Sequence, residues 1–218
     1  MHIGLVSDYT LTHASQRHVL TLRQCVNTLT TLDGFDVHWL LSTHTIAALA
    51  HEPALRPADA SDMPPTCRYV IPYTLYRLDE ARLIALEPSF WHDTALHTRL
   101  FTFLCLLHRQ QPFDVLHVWG ALSTIYLSVY TATYLKFPGT VFYTPSCLQD
   151  GPRQAFLWQW VALHTARAFT GHAKGRKRLS HTSPLQPEQI QVLNPAQPDT
   201  IATLGRTFQE IAKKSVNL

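Results

Sequence analysis

A chain of 218 residues with 46% hydrophobic and 15% charged residues can bury a sizeable core and is not a disordered polymer. Its formal charge of +3 excludes nucleic-acid binding on net charge alone, so any basic site has to be local. The four cysteines, Cys25, Cys67, Cys105 and Cys147, are widely spaced and form no C-x-x-C, which predicts buried reduced thiols in a cytosolic protein.

The elements follow in chain order. Ile3–Ser7 reads as a strand that begins almost at Met1, so no secretory signal is expected, and no stretch offers the roughly 20 apolar residues of a spanning helix. Val19, Leu22, Val26 and Leu29 recur at helical spacing within Ser15–Leu32, and Gly34 is placed to end that helix. Asp36–Leu41 is a second strand. His51–Thr66 is broken by Pro53, Pro57, Pro64 and Pro65 and reads as an exposed connection. Arg68–Ile71 is a strand candidate. Ser89 caps a helix through Leu107, and Pro112 closes it. Then come strand Val115–Trp119, a largely buried helix Gly120–Leu135, strand Thr140–Tyr143 and a helix from Pro152 to Ala166. Ala168–Gly171 and Ile190–Leu193 are the last strands. Asn194–Asp199 reads as a linker before a helix over Thr200–Lys214 whose Ile201, Leu204, Phe208 and Ile211 form one apolar stripe.

Most of these strands are continuous apolar runs, which suits strands covered on both faces. Their alternation with helices predicts a single α/β, Rossmann-like domain with a mainly parallel sheet of six or seven strands and helices on both faces. The last helix is expected to pack back on that domain. The expected divisions are residues 1–193 for the domain, 194–199 for the linker and 200–218 for the C-terminal helix.

Several segments carry a resemblance. Ile3-Gly-Leu-Val-Ser7 and Gly34-Phe-Asp-Val-His-Trp-Leu-Leu-Ser42 resemble the opening of family 4 glycosyltransferases of the GT-B fold. Phe113-Asp-Val-Leu-His-Val-Trp-Gly120 resembles that family's "fDvvHvhg" strand, and Phe137–Thr144 its "P.v.t.H" segment. Trp160–Leu179 is similar to "w..ADavia.S...r..l", and Pro187–Leu193 to "p.ekI.Vi". The segments occur in family order across roughly residues 1–199. The resemblance implies the acceptor-side domain of a two-domain, hexosyl-transferring enzyme, lacking the C-terminal half that binds the nucleotide-sugar. It implies no cofactor and a protein partner that supplies the donor-binding half. The chain departs from the family at three places. Leu11–Gln16 replaces a Gly-Gly turn, Ser146 stands where the family has a histidine, and Pro195-Ala196 replaces an Asn-Gly.

The candidate site lies at the C-terminal ends of the strands, where open α/β sheets bind ligands. Ser7, Asp8, Thr12, His13 and Ser15 form one polar rim, which either binds sugar hydroxyls or an anion or caps the next helix. Thr144, Ser146 and Asp150 form a facing rim. His117 is either an acceptor contact or a core histidine. Lys174, Arg176, Lys177 and Arg178 make the sharpest basic cluster, read either as a solvated helix face or as an anion and membrane patch. A metal site is not expected, because Cys105, His108, His92 and His97 give no four-ligand zinc spacing. The expected location is the cytoplasm, with peripheral contact at the inner membrane surface. Gly-x-Gly-x-x-Gly, P-loop and Gly-x-Ser-x-Gly motifs do not occur. A non-catalytic binding or scaffold protein descended from a glycosyltransferase stays open as the alternative.

Overall fold

The apolar run after Met1 forms strand β1 (His2–Ser7), buried from Ile3 to Ser7. A strand covered on both faces keeps its backbone satisfied only through its neighbours, and β1 finds one in the strand Asp36–Ser42. The computed structural model of the chain describes residues 1–7, 16–32, 34–59, 61, 63, 67, 69–86, 94–120, 122–135, 140–145, 159–165, 167–170, 173–182, 185–192 and 198–215. They fall into two compact units, Met1–Asp114 and Val115–Leu218.

In the first unit, α1 (Gln16–Asn27) buries Val19, Leu22 and Val26, and Leu29 just beyond it completes the stripe expected from the sequence. It runs on into a π-helical turn, Thr28–Leu32. There Thr30 and Thr31 donate their hydroxyls back to the carbonyls of Val26 and Asn27 at 3.0 and 2.6 Å. Gly34 ends it with φ of +63°, a conformation that side chains with a Cβ rarely take. Strand β2 (Asp36–Ser42) then pairs parallel with β1, and Ser42 caps α2 (Thr43–Ala48) by accepting from the Thr45 amide.

The middle of this unit corrects the sequence reading. The stretch His51–Thr66 contains a short strand, β3 (Leu55–Pro57). Of the expected strand Arg68–Ile71, the described residues Tyr69–Ile71 form a turn with Cys67 and not a strand, and Arg68 lies outside the described residues. The amides of Val70 and Ile71 both donate to the Cys67 carbonyl, and the buried Cys67 and Ile71 serve the core from that bend. The strands follow it instead. Strands β4 (Tyr73–Leu78) and β5 (Ala81–Leu86) form an antiparallel hairpin that turns through Asp79, at φ of +53°. Arg23 of α1 reaches this turn, 2.8 Å from Asp79 and 3.5 Å from Glu52. The strand order is β3-β4-β5-β2-β1, with β2 parallel to β5. Helix α3 (Thr94–Gln110) buries Leu100, Phe103, Leu104 and Leu107.

The second unit is parallel throughout. Strands β6 (Val115–Gly120), β7 (Thr140–Pro145), β8 (Arg167–Thr170) and β9 (Ile190–Val192) lie side by side in chain order. Helix α4 (Leu122–Tyr134) packs on β6 and β7. It carries no charged residue, and its hydroxyls are tied back, Thr131 to the Leu127 carbonyl at 2.8 Å and Thr133 to that of Val129 at 2.9 Å. Residues 159–163 are helical (α5). Helix α6 (Ala173–Thr182) packs against β8 and β9. With β1, β2 and β5, seven strands make parallel pairings, and the architecture is the expected mainly parallel Rossmann-like α/β fold flanked by helices.

The final helix, α7 (Pro198–Ser215), returns to the sheet of its own unit and touches β7. Leu204 and Phe208 of the expected stripe are fully buried, and the Phe208 ring meets that of His117 edge-on at 5.6 Å. Ile201 and Ile211 belong to the helix backbone. An isolated helix of this length is marginal in water, so its stability comes from this docking. Phe208→Ala should cost about 3–5 kcal/mol. Urea or thermal denaturation checks it, and a variant that melts like wild type would mean the helix is not docked.

Candidate functional site

At the C-terminal end of β1, Ser7 is wholly buried. Its hydroxyl accepts from the Trp39 indole at 2.8 Å and lies 3.5 Å from the Leu40 carbonyl. It therefore ties β1 to β2 and satisfies a buried tryptophan. Asp8, Thr12, His13 and Ser15 lie outside the described residues, as do Ser146 and Asp150.

In the second unit, His117 occupies the middle of β6 and is 2% exposed. It packs against Trp119 on the same strand face and against Phe208. Burial pulls its pKa down to about 3, so the ring is neutral near pH 7. Thr144 sits at the C-terminal end of β7, in register with Trp119. Trp119 is the residue that the sequence reading passed over. Among the described residues its indole nitrogen is buried and has no hydrogen-bond partner. A buried donor left unmet costs roughly 1–3 kcal/mol. The signal was in the sequence: a tryptophan at the end of a buried strand, just before Gly120.

Lys174, Arg176, Lys177 and Arg178 all fall on α6. Arg176 and Lys177 are exposed, and Arg176 donates to the Pro187 carbonyl at 3.0 Å. Arg176 also lines an open groove of about 430 Å³ together with Glu188, Ile190, Val192, Asp199 and Thr203. Two acids therefore share the groove with that arginine, and the local field is mixed in sign.

Burial raises the thiols of Cys25 and Cys67 to about 12 and 11, and that of Cys105 also upward, which makes all three unreactive. Cys147 lies outside the described residues. His108 accepts the Phe113 amide at its Nδ1, 3.1 Å away, so this nitrogen is committed to a turn. One group of metal-ligating type does come together among the described residues. It is His2, Asp36 and His38, at the opposite, N-terminal ends of β1 and β2, with ligand atoms all within 4.8 Å of one another. Strand register, not sequence spacing, creates it. Burial lowers the pKa of both histidines, that of His38 to about 3.

With this geometry the comparisons can be read. The chain shares its fold with sugar-nucleotide enzymes. UDP-GlcNAc 2-epimerase from Methanocaldococcus jannaschii matches at a TM-score of 0.52 with 10% identity, over 88% of this chain and 45% of that one. The epimerase from Neisseria meningitidis, solved with UDP-GlcNAc bound, matches at 0.56 with 10% identity, over 98% and 52%. A piece of sucrose-phosphate synthase from Thermosynechococcus elongatus, designated 27_220_406_426, matches at 0.60 with 10% identity, over 96% and 98%. The chain thus spans about half the length of the epimerases and nearly all of the synthase piece. No protein family matches the sequence, and no curated protein matches it. No described helix is long and apolar enough to cross a membrane.

His117 sets a pH dependence. Its folded pKa lies near 3 against 6.5 for an unperturbed histidine, so between those values the unfolded chain takes up a proton that the buried ring refuses. Its contribution to stability is full above pH 6.5 and falls as the pH drops toward 3, by up to about 1.4 kcal/mol per pH unit. Urea melts across this range should show the slope, and His117→Gln should flatten it by about one proton. An unchanged slope would assign the titration to other groups.

Proposed function

We propose that this chain is the acceptor-side half of a GT-B glycosyltransferase of the family 4 kind, working with a donor-binding half carried by a separate polypeptide. The observation that carries this reading is the pairing of a Rossmann-like fold, common to about half of each epimerase, with a last helix that returns to its own unit and buries Phe208. The designation of the synthase piece joins one long range to one short one. The division expected for this chain, a long domain over 1–193 and a short junction before a C-terminal helix, has the same form, although the helix already begins at Pro198 and takes in the last two residues of the expected 194–199 junction. In a reaction cleft between two such halves, positioning and the groups that hold the leaving diphosphate supply much of the rate, and these come from the donor side.

On this reading the acceptor binds at the C-terminal ends of β6 and β7. The unmet Trp119 indole donates to a sugar hydroxyl there, and Thr144 stands beside it on β7. Ser146 and Asp150, which follow β7 in sequence, and Asp8, Thr12, His13 and Ser15, which follow Ser7 of β1, are the further acceptor contacts on this reading. His117 acts from beneath, by holding Trp119 and Phe208 in place.

Two tests follow. The purified chain, offered UDP-, GDP- and ADP-hexoses with sugar acceptors, should neither transfer nor hydrolyse them alone. Turnover by the isolated chain that Trp119→Phe abolishes would overturn the split-enzyme reading. Binding of hexose- and N-acetylhexosamine-terminated oligosaccharides, read by calorimetry, should weaken roughly 2–10-fold in Trp119→Phe, the worth of one hydrogen bond. The burial of His117, away from any exchange of protons with substrate, favours the second reading, a non-catalytic binding protein on the same fold. That reading requires glycan binding without turnover even when a donor half is added.

We further propose that the basic run on α6 meets anionic lipid, where each Lys or Arg contributes about 1 kcal/mol. Binding to phosphatidylserine vesicles should weaken with salt and vanish when Lys174, Arg176, Lys177 and Arg178 all become Ala. Equal binding to neutral and anionic vesicles would count against it.

A further inference from the structure

We propose that His2, Asp36 and His38 form a binding site for a divalent transition-metal ion, with Arg82 as the built-in cation that competes for it. The site lies at the N-terminal ends of β1 and β2, within the first unit, and is separate from the candidate acceptor site. It does not depend on the functional reading above.

Register assembles the cluster. His2 pairs with Asp36 and Gly4 with His38, so no side chain on β1 stands directly opposite His38. The His2 ring leans into that space, and its Nε2 touches His38 Nδ1. On the other side of β2, Arg82 of β5 is in register with His38. Phe113 covers the pair, with ring centroids 4.6 Å from His2 and 6.3 Å from His38.

The hydrogen bonds have one consistent direction. A guanidinium only donates, so Arg82 gives one N–H to His38 Nε2 at 2.8 Å and the other to Gln111 Oε1 at 3.0 Å. His38 must then carry its proton on Nδ1, which donates to His2 Nε2. His2 carries its own proton on Nδ1 and donates to the Pro112 carbonyl at 3.1 Å. This last bond is the outer support that metal-ligating histidines commonly have, and it leaves His2 Nε2 with a lone pair aimed at the cluster.

Two neutral imidazoles and a carboxylate suit zinc, cobalt(II) or nickel(II) rather than magnesium or calcium. Coordination needs one internal change. The His38 proton moves from Nδ1 to Nε2, Nδ1 joins His2 Nε2 and the Asp36 carboxylate on the metal, and no net proton leaves the pair of rings. The Nε2–H then opposes the Arg82 N–H, so Arg82 has to swing away. It can, because its side chain is a quarter exposed, and its guanidinium already lies 4.0 Å from the Asp36 carboxylate. Arg82 thus occupies the site electrostatically when no metal is bound and sets the affinity when one is. Replacing it by glutamine supplies an oxygen to accept the new Nε2–H and removes the competing charge.

The test uses the full chain after chelator treatment. Zn²⁺, Ni²⁺ and Mg²⁺ are titrated by calorimetry, melting is followed with each ion, and Co²⁺ is followed by its visible spectrum. Arg82→Gln should bind Zn²⁺ or Ni²⁺ at least tenfold tighter than wild type and gain more in melting temperature, while Mg²⁺ leaves both unchanged. His2→Ala and Asp36→Asn alter partly exposed positions that the fold tolerates, and either should weaken binding at least tenfold. Failure of both wild type and Arg82→Gln to bind any of the three transition ions would overturn the proposal. So would binding that His2→Ala and Asp36→Asn leave intact, since the ion would then sit on other histidines. Equal affinities in wild type and Arg82→Gln would remove Arg82 from the account.

Discussion

A strand buried on both faces offers a polar side chain water only where it ends, so the polar groups on the strands either stand at an end or are met inside. Along β1, β2 and β6 the side chains between the ends are overwhelmingly apolar and buried. Buried polar side chains on these strands, at an end or within, must be met inside. Ser7 meets Trp39, Ser42 caps α2, and His117 is held neutral under Phe208. The remaining chemistry gathers at strand ends in each unit. Trp119 and Thr144 stand at the C-terminal end, and His2, Asp36, His38 and Arg82 at the N-terminal end.

The second dependence is on α7. A four-stranded parallel sheet with one face bare would expose a large apolar area, which costs about 25 cal/mol for each Å² left in water. The helix that returns after β9 covers part of that face with Leu204 and Phe208, and in doing so seals His117 from solvent. Loss of a histidine's acid–base chemistry and gain of a docked helix are therefore one event in this fold.

How much was legible in the sequence depended on range. Runs such as Ile3–Val6 and Val115–Trp119, and the stripe of Val19, Leu22, Val26 and Leu29, declare their structure locally, because burial sets their periodicity. The stripe on α7 was legible for the same reason. The hairpin of β4 and β5 was not. Its strands carry Arg77 and Arg82 in the interior of each run and turn through Asp79-Glu80 without a glycine, so neither an apolar run nor a strong turn signal announced it. Arg68–Ile71 misled in the opposite way, since Tyr, Val and Ile favour strands, yet Cys67 and Ile71 reach the core from a bend. The histidine cluster was invisible for a deeper reason. His2, His38 and Arg82 meet only through the register of three strands, and no spacing along the chain encodes that. Trp119 was visible as a residue, but its unmet donor is a property of the folded surroundings.

Strand β3, at one end of the first unit's row, and β9, at one end of the second's, are three residues long, and β3 closes with Pro57. A strand recruits another chain by offering a row of unpaired amides and carbonyls, and a row this short, with a proline in one of them, offers little to copy. Strands β3 and β9 therefore act as stops to growth. Continuous apolar strands are kept from templating fibrils where the strand beside open solvent is too brief to serve.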